Sequence, residues 1–186
     1  MSDIKPWKTL QSDIVYENDL FKIKKDICQM PDGVIQQNYF VREGKDGVVV
    51  FCVAKSGEIV LVRQYRQGSQ EITLELPGGF AERHDINPTE GARRELLEET
   101  GYSSEIMDTL AVWSLNAADT TMKMHLFFSS EAEKVAAPQY VAGEVTEVVL
   151  ASPAEVLNML EKGEISSVPH VAGVYRGLIK LGVIKP

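Results

Sequence analysis

The order of elements along the chain predicts an α/β layered domain: strands, one long central helix, further strands, and two closing helices. Two stretches carry this reading. Residues 48–54 are a continuous apolar run, as a buried strand requires. Residues 87–101 are punctuated as a helix at both ends: Asn87 suits the cap, Pro88 the first turn, Glu90 completes a capping-box-like pattern, and Gly101 stops it. With 186 residues, 44% of them hydrophobic, the chain suits one domain, or one domain with a small N-terminal addition.

In order, residues 1–13 are polar and read as a loose arm. Residues 14–27 are rich in β-favouring types (Val15, Tyr16, Phe21, Ile23) and lead to a turn at Pro31-Asp32-Gly33. Residues 34–41 read as the partner strand. The resulting hairpin is marginal alone and needs another surface. After the run at 48–54, Ser56-Gly57 turns the chain and residues 59–64 return. Beyond the helix, 106–115 form a strand, 115–121 a loop, and 122–129 an alternating strand. Gly143 suggests a bend, with Glu144 at the mouth of the next strand. Ser152-Pro153-Ala154-Glu155 opens a helix ending near Gly163. Residues 168–181 form the last, with Val171, Val174, Tyr175, Leu178 and Leu181 on its apolar face.

The net charge of −8 argues against a general nucleic-acid or membrane-surface binder. It also disfavours an anionic substrate unless a metal and local arginines correct the field. Cys28 and Cys52 read as buried free thiols. No apolar run suits a signal peptide or a membrane span, so a cytoplasmic enzyme is expected. Of the histidines, His125 reads as a strand-face residue, His170 as a surface residue, and His84 as an exposed loop residue, with an approach to substrate from the loop beside the helix as its competing reading. No spacing among them suits zinc.

On the central helix, successive side chains rotate by roughly 100°. Glu95, Glu98 and Glu99 then share a narrow arc, opposite Ala92, Leu96, Leu97 and Thr100. Arg94 lies one turn before Glu98 and can hold it. Like charges at this spacing repel, so a cation is expected there, and Mg²⁺ or Mn²⁺ suits carboxylate oxygen. An exposed acidic helix face is the competing reading. Gly78-Gly79 precede the helix by a short loop, from which a backbone carbonyl could reach the same ion.

The run Arg94-Glu95-Leu96-Leu97-Glu98-Glu99-Thr100-Gly101-Tyr102 resembles the second half of the Nudix box, and Gly79 resembles its opening glycine. The family places a glutamate six residues after that glycine and eight before the arginine. Here the first count reaches Asp85 and the second Ile86. The loop therefore carries one extra residue, and the first acid is displaced or replaced by Asp85. The resemblance covers residues 75–102 closely and 16–181 loosely. It implies an α/β/α sandwich with a small N-terminal β-sheet unit, with residues 1–44 as dimerisation unit and 45–186 as hydrolase domain.

Arg63-Gln64-Tyr65-Arg66 looks like a stretch common in the ADP-ribose and nucleotide-sugar branch. Both arginines offer forked donors suited to phosphate. Surface salt bridges to Glu71 or Glu75 are the competing use. Arg66 is assigned toward substrate, and Arg63 toward a structural pair with Glu75. Gly143-Glu144 resembles the segment that supplies a loop glutamate as general base, and Glu147 competes for that role. Ser114-Leu115-Asn116 lacks the proline of the branch's Ser-Pro-Gly element. The implied activity is Mg²⁺-dependent hydrolysis of a nucleoside diphosphate sugar, such as ADP-ribose, to a nucleoside monophosphate and a sugar phosphate. Gly78, Glu95, Glu98 and Glu99 would hold the metal. Glu144, Glu98 and Arg94 would serve catalysis; Arg66, Arg63 and Glu75 would serve substrate binding. Phe21 or Tyr39 could stack the base. The resemblance also implies a homodimer, with no nucleic-acid or membrane partner. The alternatives are a Nudix pyrophosphatase for dinucleoside polyphosphates or FAD, and a non-catalytic Nudix-fold ligand-binding regulator.

Overall fold

Strand β1 (Lys8–Glu17) begins inside the segment expected to be a loose arm. The computed structural model describes residues 4–82, 85–139 and 145–185. In it β1 pairs with β2 (Phe21–Gln29), and β2 with β3 (Ile35–Gly44), giving three antiparallel strands where a two-stranded hairpin was expected. Every residue of β1 is exposed, so it has no buried face for a hydrophobic alternation to reveal. Ladder hydrogen bonds to β2 organise it instead. The Asn18 side chain accepts from the Leu20 and Phe21 amides, each at 2.9 Å, and so turns β1 into β2. Gly33, at φ 90°, allows the next turn.

Contacts divide the chain into two compact units. The first joins Met1–Lys45 to Ser114–Lys123; the second contains Asp46–Trp113 and Met124–Pro186. Within the first, the loop expected at 115–121 lies along β3. The Arg42 amide donates to the Asp119 carbonyl at 2.7 Å, and the Thr121 amide donates to the Arg42 carbonyl at 3.1 Å. The Tyr39 hydroxyl donates to the Ala118 carbonyl, and the Phe21 ring lies under the Arg42 guanidinium at 5.2 Å.

The second unit contains β4 (Gly47–Ala54), β5 (Ile59–Arg66), β6 (Glu71–Glu75), β7 (Gly78–Phe80), α1 (Pro88–Thr100), β8 (Tyr102–Ser103), β9 (Asp108–Ser114) and β10 (Lys123–Lys134) apart from their end residues Ser114 and Lys123, β11 (Thr146–Ala151), α2 (Pro153–Glu161) and α3 (Val168–Lys180). The sheet runs β11-β5-β4-β10-β8, with β6 on β5, β7 on β4 and β9 on β10. β4 is parallel to β10 and antiparallel to β5, so the sheet is mixed.

Strand β4 sets the layers. Val49 and Phe51 join a core with Leu61, Leu126, Val156, Val174 and Leu178. Val48, Val50 and Cys52 join another with Ala92, Leu96 and Phe127. Alternate side chains of one strand thus serve α1 on one face and α2 with α3 on the other, which is why its sequence is apolar throughout. The expected α/β/α sandwich is the observed one. Cys28 and Cys52 are buried and unpaired, as expected, and burial pushes the Cys52 thiol up to about 12. No described helix is long and apolar enough to cross a membrane.

Helix α2 carries a full capping box: Ser152 accepts from the Glu155 amide at 3.3 Å, and Glu155 from the Ser152 amide at 2.8 Å. Helix α3 approaches the sheet through Gly173 and Gly177. A β-carbon at Gly177 would come within 2.1 Å of Phe51 Cδ2, and one at Gly173 within 2.7 Å of Leu76 Cδ1. The glycines share the buried face with Val174 and Leu178, which leaves Tyr175 exposed, contrary to its expected place on the apolar face. Gly177→Ala should therefore overpack the core. We expect a loss of about 1–3 kcal/mol, read from the urea unfolding midpoint of the purified chain.

Candidate active site

Helix α1 is held at both ends. Asn87 Oδ1 accepts from the Glu90 amide at 3.1 Å, and Gly101, at φ 73°, returns its amide to the Leu97 carbonyl at 2.8 Å. Ala92, Leu96 and Thr100 are buried beneath it. This presents Glu95, Glu98 and Glu99 toward the strand β7 side of the helix, with Arg94 beside them.

Arg94 is the hub. Its Nη1 donates to Glu95 Oε1 at 2.8 Å and to Glu98 Oε2 at 3.1 Å. Its Nη2 donates to the Phe80 carbonyl at 3.0 Å and to Asp85 Oδ2 at 3.2 Å, and its Nε reaches Asp85 Oδ1 at 3.3 Å. Burial works against the guanidinium charge, but the hydrogen bonds it donates to the Asp85, Glu95 and Glu98 carboxylates raise its pKa above the usual arginine value. The expected turn-spaced contact to Glu98 is present. The extra residue in the loop also finds its explanation. Asp85, 5% exposed at its side chain, turns in to Arg94, while Ile86 is 89% exposed. Asp85 also accepts from the Glu82 amide at 2.7 Å.

The other two acids sit against the glycine pair. The Gly78 amide donates to Glu99 Oε2 at 2.8 Å. A β-carbon on Gly79 would come within 2.5 Å of the Glu95 carboxyl carbon, and one on Gly78 would strike the Val48 carbonyl. Both positions therefore exclude any side chain. Burial pushes the Glu99 carboxyl up to about 8, with Glu95 adding repulsion, against relief from the Gly78 amide and the Arg66 charge. Glu95 is also raised, chiefly by burial, although Arg94 opposes the rise.

The arc is not a preformed cage. Among the described residues, no group of three or more His, Cys, Asp or Glu side chains is gathered closely enough to hold a metal ion. The acids are turned onto Arg94 and Gly78 instead. The donor chemistry nevertheless fits a hard divalent cation: three carboxylates within one helical turn, two of them raised by burial, facing a glycine pair. A cation there would compensate the buried negative charge.

Beside the arc lies a second cluster, around Glu75. Arg66 grips it with Nη2 at 2.5 Å and Nε at 3.1 Å; Thr73 Oγ1 donates at 2.7 Å and Gln64 Nε2 at 3.3 Å. His170 Nε2 lies 3.2 Å from Glu75 Oε2, and the Leu76 amide donates to His170 Nδ1 at 3.1 Å. Burial alone would raise the Glu75 pKa, but bonds from His170, Arg66 and Thr73 hold it well below the usual carboxylate range. Arg66, Ser69, Glu71, Thr73, Ser167 and His170 are among the residues lining an open groove of about 550 Å³.

Two expectations change here. Glu75 pairs with Arg66 rather than Arg63. Arg63 bonds Glu147 at 2.8 Å, because residues 63 and 147 face each other across β5 and β11 while 66 returns toward 75 over the β5–β6 hairpin. His170 is buried rather than on the surface. Its signal was present: residues 170, 174 and 178 share one stripe of α3, and Val174 and Leu178 are buried. Glu144 lies outside the described residues, as do Gly143 and His84.

The low Glu75 pKa has a pH consequence. A carboxyl whose folded pKa is depressed adds stability that is complete above its ordinary value of 4.5 and is lost as pH falls toward the folded value. Glu75→Gln should cost about 1–3 kcal/mol at pH 7. The gap to the native chain should narrow steadily below pH 4.5, as denaturant melts across pH 2–7 would show.

A NUDIX domain model matches residues 44–171, and a nucleoside diphosphate sugar hydrolase N-terminal domain model matches residues 7–41. The methanol dehydrogenase activator of Bacillus methanolicus is 28% identical over 127 residues, covering 68% of each chain. The ADP-ribose pyrophosphatase of Bacillus subtilis (strain 168) is 23% identical over 159 residues, covering 85% of each. A crystal structure of an ADP compounds hydrolase matches with a TM-score of 0.83, over 99% of this chain and 100% of that one, at 17% identity, which is a likeness of fold. The matched Nudix domain spans the helix, the glycine pair and the Arg66 strand, and the chain belongs to the Nudix family, as a pyrophosphohydrolase with the N-terminal domain of the nucleoside diphosphate sugar hydrolases.

Proposed function

We propose that the chain hydrolyses the pyrophosphate of a nucleoside diphosphate sugar such as ADP-ribose. Water adds across the P–O–P bond, giving a nucleoside monophosphate and a sugar phosphate. The observation that carries this is the Arg94-ordered arc of Glu95, Glu98 and Glu99 against Gly78-Gly79, in a chain with the N-terminal domain of that hydrolase group.

Each residue has a task. Asp85 and the Phe80 carbonyl fix Arg94, which fixes Glu95 and Glu98. The Gly78 amide fixes Glu99. Glu95, Glu98, Glu99 and the Gly78 carbonyl would hold Mg²⁺, with Mn²⁺ as substitute. When bound, the ion supplies neutralising charge at the phosphates and acidifies water. Arg66 presents its guanidinium to a phosphate, and Glu75 holds it there. Glu144 is the residue proposed to take the proton of the attacking water. The pairing of Glu147 with Arg63 on β11 supports that choice over Glu147. A non-catalytic regulator would have no use for all three glutamates of the arc.

ADP-ribose should yield AMP and ribose 5-phosphate by product mass, with Mg²⁺ present and not in excess EDTA. GDP-sugars, dinucleoside polyphosphates and FAD complete the panel. Glu98→Gln should lower kcat on the order of 10²–10³-fold without lowering Tm. Full turnover in EDTA, or a normal rate in that variant, would sink the proposal.

The functional unit proposed is a cytoplasmic homodimer, joined through residues 1–44. Leu10, Ile14, Val15 and Tyr16 of β1 are 48–54% exposed, a run of apolar groups open to a second copy. Light scattering should give twice the 20.6 kDa chain mass. An active monomer would contradict this.

A further inference from the structure

Glu75 is only 2% exposed, yet its two oxygens receive five donors. Arg66 supplies two, Thr73 and Gln64 one each, and His170 the fifth. The histidine differs from the others because its second nitrogen is also committed. The Leu76 amide donates to Nδ1, which must therefore carry a lone pair. The proton then sits on Nε2, which donates to Glu75. A ring gripped at both nitrogens has one tautomer and one orientation.

His170 stands in the first turn of α3, which glycine contacts hold close against β4 and Leu76. Leu76 leads through Pro77 to Gly78, whose amide holds Glu99. The imidazole thus ties the first turn of α3 to the Leu76 backbone and to the carboxylate of the residue before it, which grips an arginine bordering the groove. Thr73 and Gln64 also donate to Glu75, but both belong to the β5–β6 hairpin that carries Arg66 itself. They lie in the same hairpin as Glu75 and Arg66 and do not join it to another element. Among the described residues that donate to Glu75, His170 alone comes from another element.

We propose that His170 is a positioning residue: through Glu75 it aims the Arg66 guanidinium at the substrate phosphate. The proposal rests on the reading of Arg66 as a phosphate contact. Without the Nε2 donor, Glu75 follows its hairpin and Arg66 follows Glu75.

The test uses the full chain with His170→Phe, which removes both nitrogens at similar size, His170→Gln, which keeps a donor near the Nε2 position, Arg66→Ala, and the His170→Phe/Arg66→Ala double variant. With ADP-ribose and Mg²⁺, His170→Phe should lower kcat/KM roughly 10–100-fold, mainly through KM, and His170→Gln should recover most of it. In the Arg66→Ala background the His170→Phe change should add nothing further. An equal loss with and without Arg66 would mean a merely structural role and overturn the proposal. A second readout needs no turnover. The ¹⁵N-edited Nε–H signal of Arg66, assigned by its loss in Arg66→Lys, should lose exchange protection in folded His170→Phe and regain it in His170→Gln. An unchanged signal in His170→Phe overturns the relay. A silent Arg66→Ala alongside a shifted signal overturns the phosphate reading while the relay stands.

Discussion

One guanidinium holds the active helix in register with the strand beside it. Arg94 bonds Glu95 and Glu98 on its own helix, Asp85 in the loop, and the Phe80 carbonyl at the end of β7. Without it, three acids of one sign would crowd a half-buried arc, where burial already disfavours their charge. The glycine pair completes the constraint from the other side, since neither position tolerates a β-carbon. Charge and steric exclusion thus meet over a few ångströms. The capping of α1 and the apolar packing of Ala92 and Leu96 keep the two surfaces at that distance.

What was legible in the sequence follows from the range of the forces involved. The Asn87 and Gly101 caps of α1, the Arg94–Glu98 spacing and the two-faced strand β4 are local or periodic, and they stand in the structure as they read in the chain. Asn87 caps through the Glu90 amide alone, however, and among the described residues no return bond to the Glu90 side chain completes a box. The arm before residue 14 was illegible because β1 buries nothing, and its order comes from a ladder with β2 rather than from its own pattern. The partners of Glu75 were illegible for another reason. Arg63 and Arg66 are equivalent in type, and only the facing of β11 against β5 assigns Glu147 to one while the hairpin assigns Glu75 to the other. His170 was misread because a polar residue beside a proline suggests surface, although its stripe with Val174 and Leu178 pointed inward.

The loop insertion in the Nudix box shows how a motif absorbs a change in length. Asp85 has a shorter side chain than the glutamate the family places there, yet it makes two contacts to Arg94 and one to the Glu82 amide. Gly91 leaves it room, since a β-carbon there would come within 2.8 Å of Asp85 Oδ2. In this chain Asp85 is thereby paired with the arginine although its place in the sequence differs by one residue from the family's interval.

The N-terminal unit is built from two stretches of chain far apart in translation order. Arg42 is bonded to Thr120, 78 residues further along, and Tyr39 to Ala118. The three strands leave the ribosome before the segment that lines β3, which follows only after α1 and most of the sheet strands have been made. The unit therefore closes late in synthesis, with its β3 edge waiting for partners while the other unit is still emerging. The same arrangement bears on inheritance and engineering. A cut at residue 45 would transplant three strands without the segment that seals them, so the portable cassette consists of residues 1–45 together with 114–123.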